Sequence, residues 1–280
     1  MAPSVITNAL SVDVEEYYHA EVYRDGTNGM REGLESRVEA STERVLELLS
    51  AGAAKATFFI LGQVAAAHPA LVRKIAGEKH EIACHGHAHE PVFRQTPTEF
   101  RADVSRAKAV LEDIIGEPVV GYRAPSFSIG RAQAWAYDIL LQEGFRYDSS
   151  IYPIVHDHYG DREAPRFPYE IWRKGSRALV EFPISTVRVA GVNLPIGGGG
   201  YFRLLPLALT RAGIRRVNAR ERQATLFYFH PWELDPDQPR PTMSWRHRFR
   251  LYVGIEREER KLARLLRDIA FAPIRNILAI

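Results

Sequence analysis

Cysteine and long apolar runs are nearly absent from this sequence. The single cysteine, Cys84, has no partner for an internal disulfide, so nothing requires an oxidising compartment. No run of about 18 apolar residues is present, which excludes a membrane-spanning helix. No Lys or Arg precedes Arg24, and the chain turns acidic at Glu15 and Glu16, where a signal peptide would be apolar. We therefore expect a soluble, cytoplasmic protein.

A large excess of charge of either sign is also missing. The 37 Lys and Arg residues nearly balance the 34 Asp and Glu residues, the formal net charge is +3, and the arginines are spread along the chain. Because nucleic-acid-binding proteins cluster their basic residues, we expect no nucleic-acid partner. The 280 residues are 46% hydrophobic, which is enough to form a large core. Length alone is compatible with one α/β barrel or with two domains.

Apolar segments alternate between strand-like and helix-like patterns, which favours a mostly parallel α/β sheet or barrel. The segment Thr96-Pro97-Thr98-Glu99 is a typical helix start, with a capping residue, a proline in the first turn and a glutamate three residues after the cap. The tail from Ser244 to Ile269 predicts a charged amphipathic helix that packs on the outside. Strands are predicted at residues 9–14, 56–61, 81–84, 119–124, 145–148, 179–184 and 225–229.

Two carboxylates stand at the end of the first predicted strand. Side chains alternate along a strand, so Asp13 and Glu15 share one face whereas Glu16 points the other way. In parallel α/β folds, functional groups gather beyond the carboxyl ends of the strands. The pair is therefore a candidate for catalysis or metal binding, and the alternative is an acidic strand end that faces water.

The segment His85-Gly-His-Ala-His89 follows the third predicted strand. His85 and His89 can ligate one metal ion if the segment turns, and zinc accepts imidazole together with carboxylate. His87 is a rival ligand because it shares a strand face with His85. The alternative is a solvated polar turn. Cys84 points away from the His85 face and is interpreted as a small buried hydrophobe.

His230 ends the apolar run Leu226-Phe-Tyr-Phe229 and precedes Pro231, which keeps the backbone extended. A histidine at that strand end can serve as a general acid or base. The alternative is a core histidine bonded to a carbonyl group. Because the other polar groups end strands at the same edge, we favour the catalytic interpretation.

The ordered motifs S-V-D-V-E, H-G-x-A-H, R-A-P and F-Y-F-H-P-W-E resemble the NodB-type polysaccharide deacetylases, carbohydrate esterase family 4. The chain looks most like the bacterial branch associated with exosortase and exopolysaccharide gene clusters. The motifs of that branch stand at Asp13 to Tyr17, Arg123 to Ser128, Tyr147 to Ser150, Gly199 to Pro206 and Phe227 to Glu233. The resemblance covers nearly the whole chain, which we expect to be one domain, 1–280, with a catalytic core at about 8–235 and a helical extension at about 244–272.

The resemblance implies a distorted (β/α) barrel of about seven strands and hydrolysis of an N-acetyl group from an amino sugar in a polysaccharide. In that family's roles, Asp13 would be the base, Arg123 would tether Asp13, and His230 would be the acid. A divalent metal, zinc before Co²⁺, Ni²⁺, Mn²⁺ or Fe²⁺, would be held by Glu15, His85 and His89. Two departures from the family pattern stand out: Val14 and Glu15 replace the second of two adjacent Asp residues, and Gly86 replaces a hydroxyl residue. Cyclic-amide hydrolases of the allantoinase type share this pattern, and a non-catalytic carbohydrate-binding relative is a third hypothesis.

Further residues are expected at the same edge. The backbone N–H of Ser126, after Pro125 in the R-A-P turn, is a candidate oxyanion donor. Asp148 ends a short extended segment and is expected to orient His230, as an aspartate does in related deacetylases; the alternative is a turn cap at Ser149-Ser150. Homo-oligomerisation is left open. Four residues are candidates for binding the sugar: Pro125, Tyr201, Phe202 and Trp232.

Overall fold

The computed structural model describes residues 6–27, 34–156 and 159–280. Residues 1–5, 28–33 and 157–158 of the expected domain lie outside this description. None of the helices in the described ranges is both long and apolar enough to cross a bilayer.

Strands and helices alternate along the described chain, as predicted. The strands are β1 (Asn8–Val14), β2 (Thr57–Ile60), β3 (Glu81–Cys84), β4 (Gly121–Tyr122), β5 (Tyr147–Asp148), β6 (Tyr169–Lys174), β7 (Arg177–Glu181), β8 (Thr186–Val189), β9 (Val192–Pro195), β10 (Leu226–Phe229) and β11 (Phe271–Ala272). The helices are α1 (Glu21–Gly26), α2 (Val38–Ala51), α3 (Gly62–Ala67), α4 (Pro69–Gly77), α5 (Pro97–Ile115), α6 (Trp135–Gln142), α7 (Gly199–Leu204), α8 (Leu207–Arg216), α9 (Trp245–Tyr252), α10 (Ile255–Asp268) and α11 (Ile274–Leu278).

Nine of the described strands form one sheet, in the order β10-β1-β2-β3-β4-β5-β7-β6, with β11 paired to β1. The pairs from β10 to β7 are parallel, and β6 pairs antiparallel with β7. The chain between β7 and α7 passes beside β10, where the backbone N–H of Tyr228 donates to the carbonyl of Gly197 at 2.7 Å. The α/β class with a parallel sheet is confirmed. Closure into a barrel of about seven strands stays a prediction.

Local sequence signals explain the helix boundaries. Helix α5 begins at the capping box predicted from the sequence, with Thr96 and Glu99 bonded reciprocally. It ends at Gly116, whose φ of 69° is left-handed and favours glycine. Pro69 starts α4 because proline fits a first helical turn, and the break between α3 and α4 falls at His68.

The sheet has two different faces. Leu10, Val12 and Val14 of β1 pack into the larger core beneath the helices, on what we call the helix face. Residues of the opposite parity, including Ala9, Phe59, Ala83, Tyr147 and Tyr228, pack together on the inner face. Since side chains alternate with period two, Asp13 near the end of β1 belongs to the inner face, and His85 and His230 continue this face just beyond the ends of β3 and β10.

The C-terminal extension differs from the single outer helix that we expected. It breaks into α9 and α10 at Val253-Gly254, where Gly254 has a φ of 71° and the guanidinium of Arg203 donates to the carbonyls of Leu251 and Val253. After α10, β11 pairs with β1, so the tail adds a strand to the sheet. The helical periodicity of this segment could be predicted from the sequence. The left-handed conformation of Gly254 and its contact with Arg203 of α7 could not.

Candidate active site

Polar side chains converge at the carboxyl ends of β1, β3 and β10. Asp13 lies in β1 and Glu15 directly after it, His85 follows β3, and His230 follows β10. Asp13, Glu15 and His85 are almost completely buried. Parallel pairing brings these strand ends to one edge of the sheet, as expected from the sequence.

Glu15, His85 and His89 form a compact group in which one possible ligand atom from each side chain lies within 4.8 Å of the others. The Oε2 atom of Glu15 lies 2.6 Å from Nε2 of His89 and 3.7 Å from Nε2 of His85. Burial raises the pKa of Glu15, but the neighbouring histidines lower it more, so that it lies well below the usual value.

The donor set fits a divalent metal ion. The Nδ1 atom of His85 lies 2.9 Å from the carbonyl oxygen of Arg123, which only accepts hydrogen bonds, so the proton is on Nδ1 and the lone pair is on Nε2. That lone pair faces the carboxylate of Glu15, whose buried Oε2 lies against the Nε2 atoms of both histidines. Electron pairs turned toward one another in a buried space are the arrangement that a cation stabilises.

The loop that carries the histidines is closed by a carboxylate. Gly86 has a φ of 75°, and a Cβ atom at this position would lie 2.9 Å from Oδ2 of Asp103. The same oxygen accepts a hydrogen bond from the backbone N–H of His87 at 2.8 Å. Gly86 therefore stands where the family pattern has a hydroxyl residue because the loop turns tightly against Asp103 here.

The rival ligands lie elsewhere. Glu16 accepts hydrogen bonds from the Ser36 hydroxyl and from the backbone N–H of Arg37. His87 packs against Gly62, and burial lowers the pKa of its imidazole. Cys84 lies in the core on the helix face, where burial raises the pKa of its thiol to about 12. The structure thus brings Glu15, rather than Glu16, to His85 and His89.

Arg123 is completely buried and holds Asp13 in place. Its Nη1 atom donates to Oδ1 of Asp13 at 2.6 Å and to the Ser11 hydroxyl at 2.9 Å, and its other nitrogens donate to Ser149. The guanidinium also lies 4.2 Å from the ring centroid of Phe59. One oxygen of Asp13 is therefore fixed, and Oδ2 lies on the side of His230, 3.9 Å from its Nε2.

His230 is oriented by Glu233. The short 3₁₀ turn at Pro231–Leu234 places Oε1 of Glu233 3.0 Å from Nδ1 of His230, so that Nε2 faces Asp13 and Glu15. The ring of Trp232 stacks on the imidazole, and its Nε1–H donates to Oε1 of Glu15 at 3.2 Å. Burial lowers the pKa of His230, but the surrounding carboxylates raise it more, to about 9.

The prediction that Asp148 orients His230 is wrong. Asp148 follows Tyr147, which occupies the inner face, so strand alternation turns Asp148 to the helix face. There its Oδ1 accepts from the Ser150 hydroxyl at 2.6 Å, and burial raises its pKa to about 6. Asp148 and Glu181 are paired across β5 and β7. The turn role at Ser149-Ser150, our alternative interpretation, describes this residue better.

A cavity of about 810 Å³ opens above these groups. Tyr201, Trp232 and Ser126 line it, and Ser126 has a left-handed φ of 54°. Two expected sugar-binding residues do not line the cavity. Pro125 is buried against the histidine loop, next to Gly86. Phe202 packs edge-on against Phe227 in the helix-face core, because neighbouring residues of a helix point about 100° apart.

Three residues that support the site were not predicted from the sequence in this role. Glu233 stands three residues after His230, a spacing that a short helical turn brings into contact, so the motif itself contained this signal. His19 stacks on His89 with ring centroids 5.3 Å apart, and Asp103 closes the histidine loop. Neither His19 nor Asp103 belongs to a motif that we could read, since both contacts depend on the fold.

Two family models cover most of the chain. Residues 26–140 match the model described as polysaccharide deacetylase. Residues 149–279 match a model described as a domain of unknown function, DUF3473. The candidate site draws His85, His89 and Arg123 from the first matched range, and His230 and Glu233 from the second.

Curated relatives match over shorter segments. A peptidoglycan-N-acetylglucosamine deacetylase from Bacillus cereus is 32% identical over 75 residues, which are 27% of this chain and 27% of the relative. A chitooligosaccharide deacetylase from a Bradyrhizobium species is 28% identical over 99 residues, which are 35% of this chain and 43% of the relative. The chain thus matches less than half of the length of either relative.

A solved structure supports the fold over the whole chain. A protein from Mycobacterium smegmatis that is described as a polysaccharide deacetylase superposes with a TM-score of 0.62 at 22% sequence identity. The superposition covers 100% of this chain and 91% of that protein. At this identity the likeness shows the fold.

Proposed function

We propose that this chain, whose residues 26–140 match the polysaccharide deacetylase model, is a metal-dependent hydrolase that removes N-acetyl groups from amino-sugar residues of a polysaccharide. One observation carries the proposal: Glu15, His85 and His89 converge, and Asp13 and His230 lie beside them in the same cavity. Amide hydrolysis needs these three functions together, an activated water, a base and an acid.

Glu15, His85 and His89 would hold the metal ion, which we propose to be zinc, with Co²⁺, Ni²⁺, Mn²⁺ or Fe²⁺ as alternatives. Imidazole nitrogens and one carboxylate form a donor set that suits zinc and leaves positions for substrate. When bound, such an ion polarises the acetyl carbonyl group and lowers the pKa of a water molecule. Trp232 and the carbonyl oxygen of Arg123 orient the ligands through the hydrogen bonds described above.

Asp13 would accept the proton of the attacking water. Its Oδ1 is held by Arg123, so that Oδ2 faces the cavity in a fixed position. His230 would donate a proton to the departing nitrogen through Nε2, because Nδ1 is engaged by Glu233. Nitrogen leaves an amide poorly unless it is protonated. The backbone N–H of Ser126, at the cavity wall, would stabilise the negative charge on the carbonyl oxygen.

The substrate class follows from the lining of the cavity and from the relatives. Tyr201 and Trp232 line the cavity, and aromatic faces pack well on pyranose rings. The matched relatives are named for peptidoglycan N-acetylglucosamine and for chitooligosaccharides. We therefore propose an N-acetylated glycan. An exopolysaccharide is our specific suggestion, which depends on the motifs shared with the exosortase-associated branch.

Acetate release from chitooligosaccharides tests the proposal. We expect the zinc-loaded protein to release acetate, and Asp13→Asn to lower kcat by about 10²- to 10⁴-fold while zinc stays bound, because Asp13 moves a proton and is not a ligand. Asp113→Asn, an exposed aspartate on α5, is the matched control and keeps its activity. Hydrolysis of a cyclic ureide without acetate release would favour the allantoinase-type alternative, and glycan binding without turnover would favour the non-catalytic one.

A further inference from the structure

Exposed apolar side chains gather at the mouth of the main cavity. Phe93, Val155, Leu204 and Phe249 line this cavity and are nevertheless 50%, 76%, 51% and 51% exposed. They come from four separate parts of the chain, and the proposed chemistry uses none of them. An apolar rim assembled in this way is typical of an interaction surface.

Helix α9, which carries Phe249, extends this rim with another exposed aromatic residue. Trp245 is 74% exposed and stands one turn before Phe249, so both project from the same side of the helix. The other side of α9 is fixed to the protein by Leu251, which packs in a cluster with Tyr17 and Tyr23. The helix therefore presents an aromatic face outward without needing to move.

Arginines flank the aromatic face of α9. Arg246, Arg248 and Arg250 are all exposed, and the helix contains no acidic residue. The guanidinium of Arg246 lies 5.6 Å from the ring centroid of Trp245. Neither Arg246 nor Arg248 forms an ion pair with a carboxylate in the described ranges. This face combines apolar surface with positive charge.

Charge elsewhere on the rim is balanced, which makes α9 its positive side. Arg24 approaches Glu21 and Glu90 at 3.9 and 3.6 Å, and Arg94 approaches the same two carboxylates. A second copy of the chain is a poor occupant, because a two-fold contact through α9 would bring the arginines of both copies together.

We propose that the cavity mouth docks on an anionic phospholipid bilayer. Trp245 and Phe249 would enter the boundary between headgroups and acyl chains, and Arg246 and Arg248 would pair with lipid phosphates. Aromatic residues surrounded by arginines are the composition that binds this interface. The cavity would then open toward the membrane surface. This proposal goes beyond the hydrolytic function and does not depend on it.

Vesicle co-sedimentation of the full chain tests the docking. We expect binding to vesicles of phosphatidylglycerol and phosphatidylcholine, weak binding to phosphatidylcholine alone, and a decrease with added salt. The double variants W245A/F249A and R246Q/R248Q should each weaken binding by about tenfold or more. Matched controls are V192S/L194S on the exposed β8–β9 hairpin and R215Q/R216Q on α8, which should bind as the unsubstituted chain does.

Circular dichroism and thermal melting establish that each variant is folded before its binding is compared. Three results would overturn the proposal: no binding to anionic vesicles, equal loss of binding in the controls, or full binding by W245A/F249A. Light scattering provides a fourth such result. If the unsubstituted chain is a dimer and W245A/F249A is a monomer, this face binds a second copy of the chain.

Discussion

Glu233 is the residue on which the orientation of His230 depends. Its carboxylate contacts Nδ1 of His230, which directs Nε2 into the cavity. A residue so placed fixes the tautomer of the imidazole and stabilises its protonated form. The motif around His230 contains this residue, whereas we predicted from the sequence that Asp148, more than eighty residues earlier in the chain, has this role.

We predict that Glu233→Gln lowers kcat for acetate release by about 10- to 100-fold, because a neutral amide no longer stabilises the imidazolium of His230. Zinc content should stay unchanged, because the carboxylate of Glu233 forms its ion pairs in the described ranges with Arg203 and His230 and not with the proposed metal ligands. Steady-state kinetics and elemental analysis check both expectations. Glu221→Gln, a carboxylate paired with Arg166 away from the cavity, is the control. Activity equal to that of the control would remove Glu233 from the orienting role.

The residues of the site were predictable to different degrees. Asp13, Glu15, His85 and His230 follow apolar runs, so their meeting at one sheet edge could be predicted from strand alternation and parallel topology. Asp148 also ends a strand, but its parity places it on the helix face. Strand alternation would have predicted the face of Asp148 only if the face occupied by Tyr147 had been known. That face depends on the strands that neighbour β5 in the sheet.

At the scale of secondary structure, the break between α9 and α10 is a position where only glycine fits well. Gly254 has a φ of 71°, and a Cβ atom there would lie 2.4 Å from the carbonyl oxygen of Arg203. We predict that Gly254→Ala lowers the free energy of unfolding by about 3 kcal/mol, through backbone strain and this contact together.

Urea denaturation of Gly254→Ala is best compared with that of Gly175→Ala. Gly175 lies in the turn between β6 and β7 with a φ of 61°, and nothing lies within 4 Å of the position of its Cβ atom. That control carries the backbone strain alone, about 1 kcal/mol. Equal losses in the two variants would show that the contact with Arg203 contributes nothing.

The junction between β2 and β3 depends on a neutral histidine. His80 is buried, and its Nδ1 accepts a hydrogen bond from the backbone N–H of Ala56 at 3.1 Å. Burial lowers its pKa from 6.5 to about 4. The unfolded chain therefore takes up a proton below about pH 6.5 that the folded chain takes up only near pH 4, so stability falls as the pH falls through this window.

We predict that this one group costs up to about 3 kcal/mol of stability between neutral pH and pH 4. Urea unfolding at pH 7 and pH 5 measures the loss in the unsubstituted protein and in His80→Gln, which has no titrating group at this position. The variant should be less stable at pH 7 but should lose less between the two pH values. The same loss in both proteins would contradict the assignment to His80.

Elements with strong local signals were predicted well, and those without them were not. The capping box at Thr96 and the His68-Pro69 break fix their helix ends by local chemistry. Strand β11 lacks such signals, because it has only two residues and exists through its pairing with β1. Tertiary pairing, rather than propensity, decides short strands.

At the scale of the molecule, the candidate site combines residues from both halves of the chain. The range that matches the polysaccharide deacetylase model and the range that matches DUF3473 meet between residues 140 and 149. Strand β1 nevertheless pairs with β10 on one side and with β2 and β11 on the other. The proposed base, in β1, and the proposed acid, after β10, therefore come from distant parts of the sequence and meet at neighbouring strands of one sheet. That residues 1–280 form one domain stays a prediction.

Zinc content measured by elemental analysis tests the central claim most directly, that Glu15, His85 and His89 hold one divalent metal ion. After loading with zinc and dialysis, we predict about one ion per chain in the unsubstituted protein and in His87→Ala, and almost none in His89→Ala or Glu15→Ala. Circular dichroism must show that all four proteins are folded. Full zinc content in His89→Ala, or its loss in His87→Ala alone, would contradict the account.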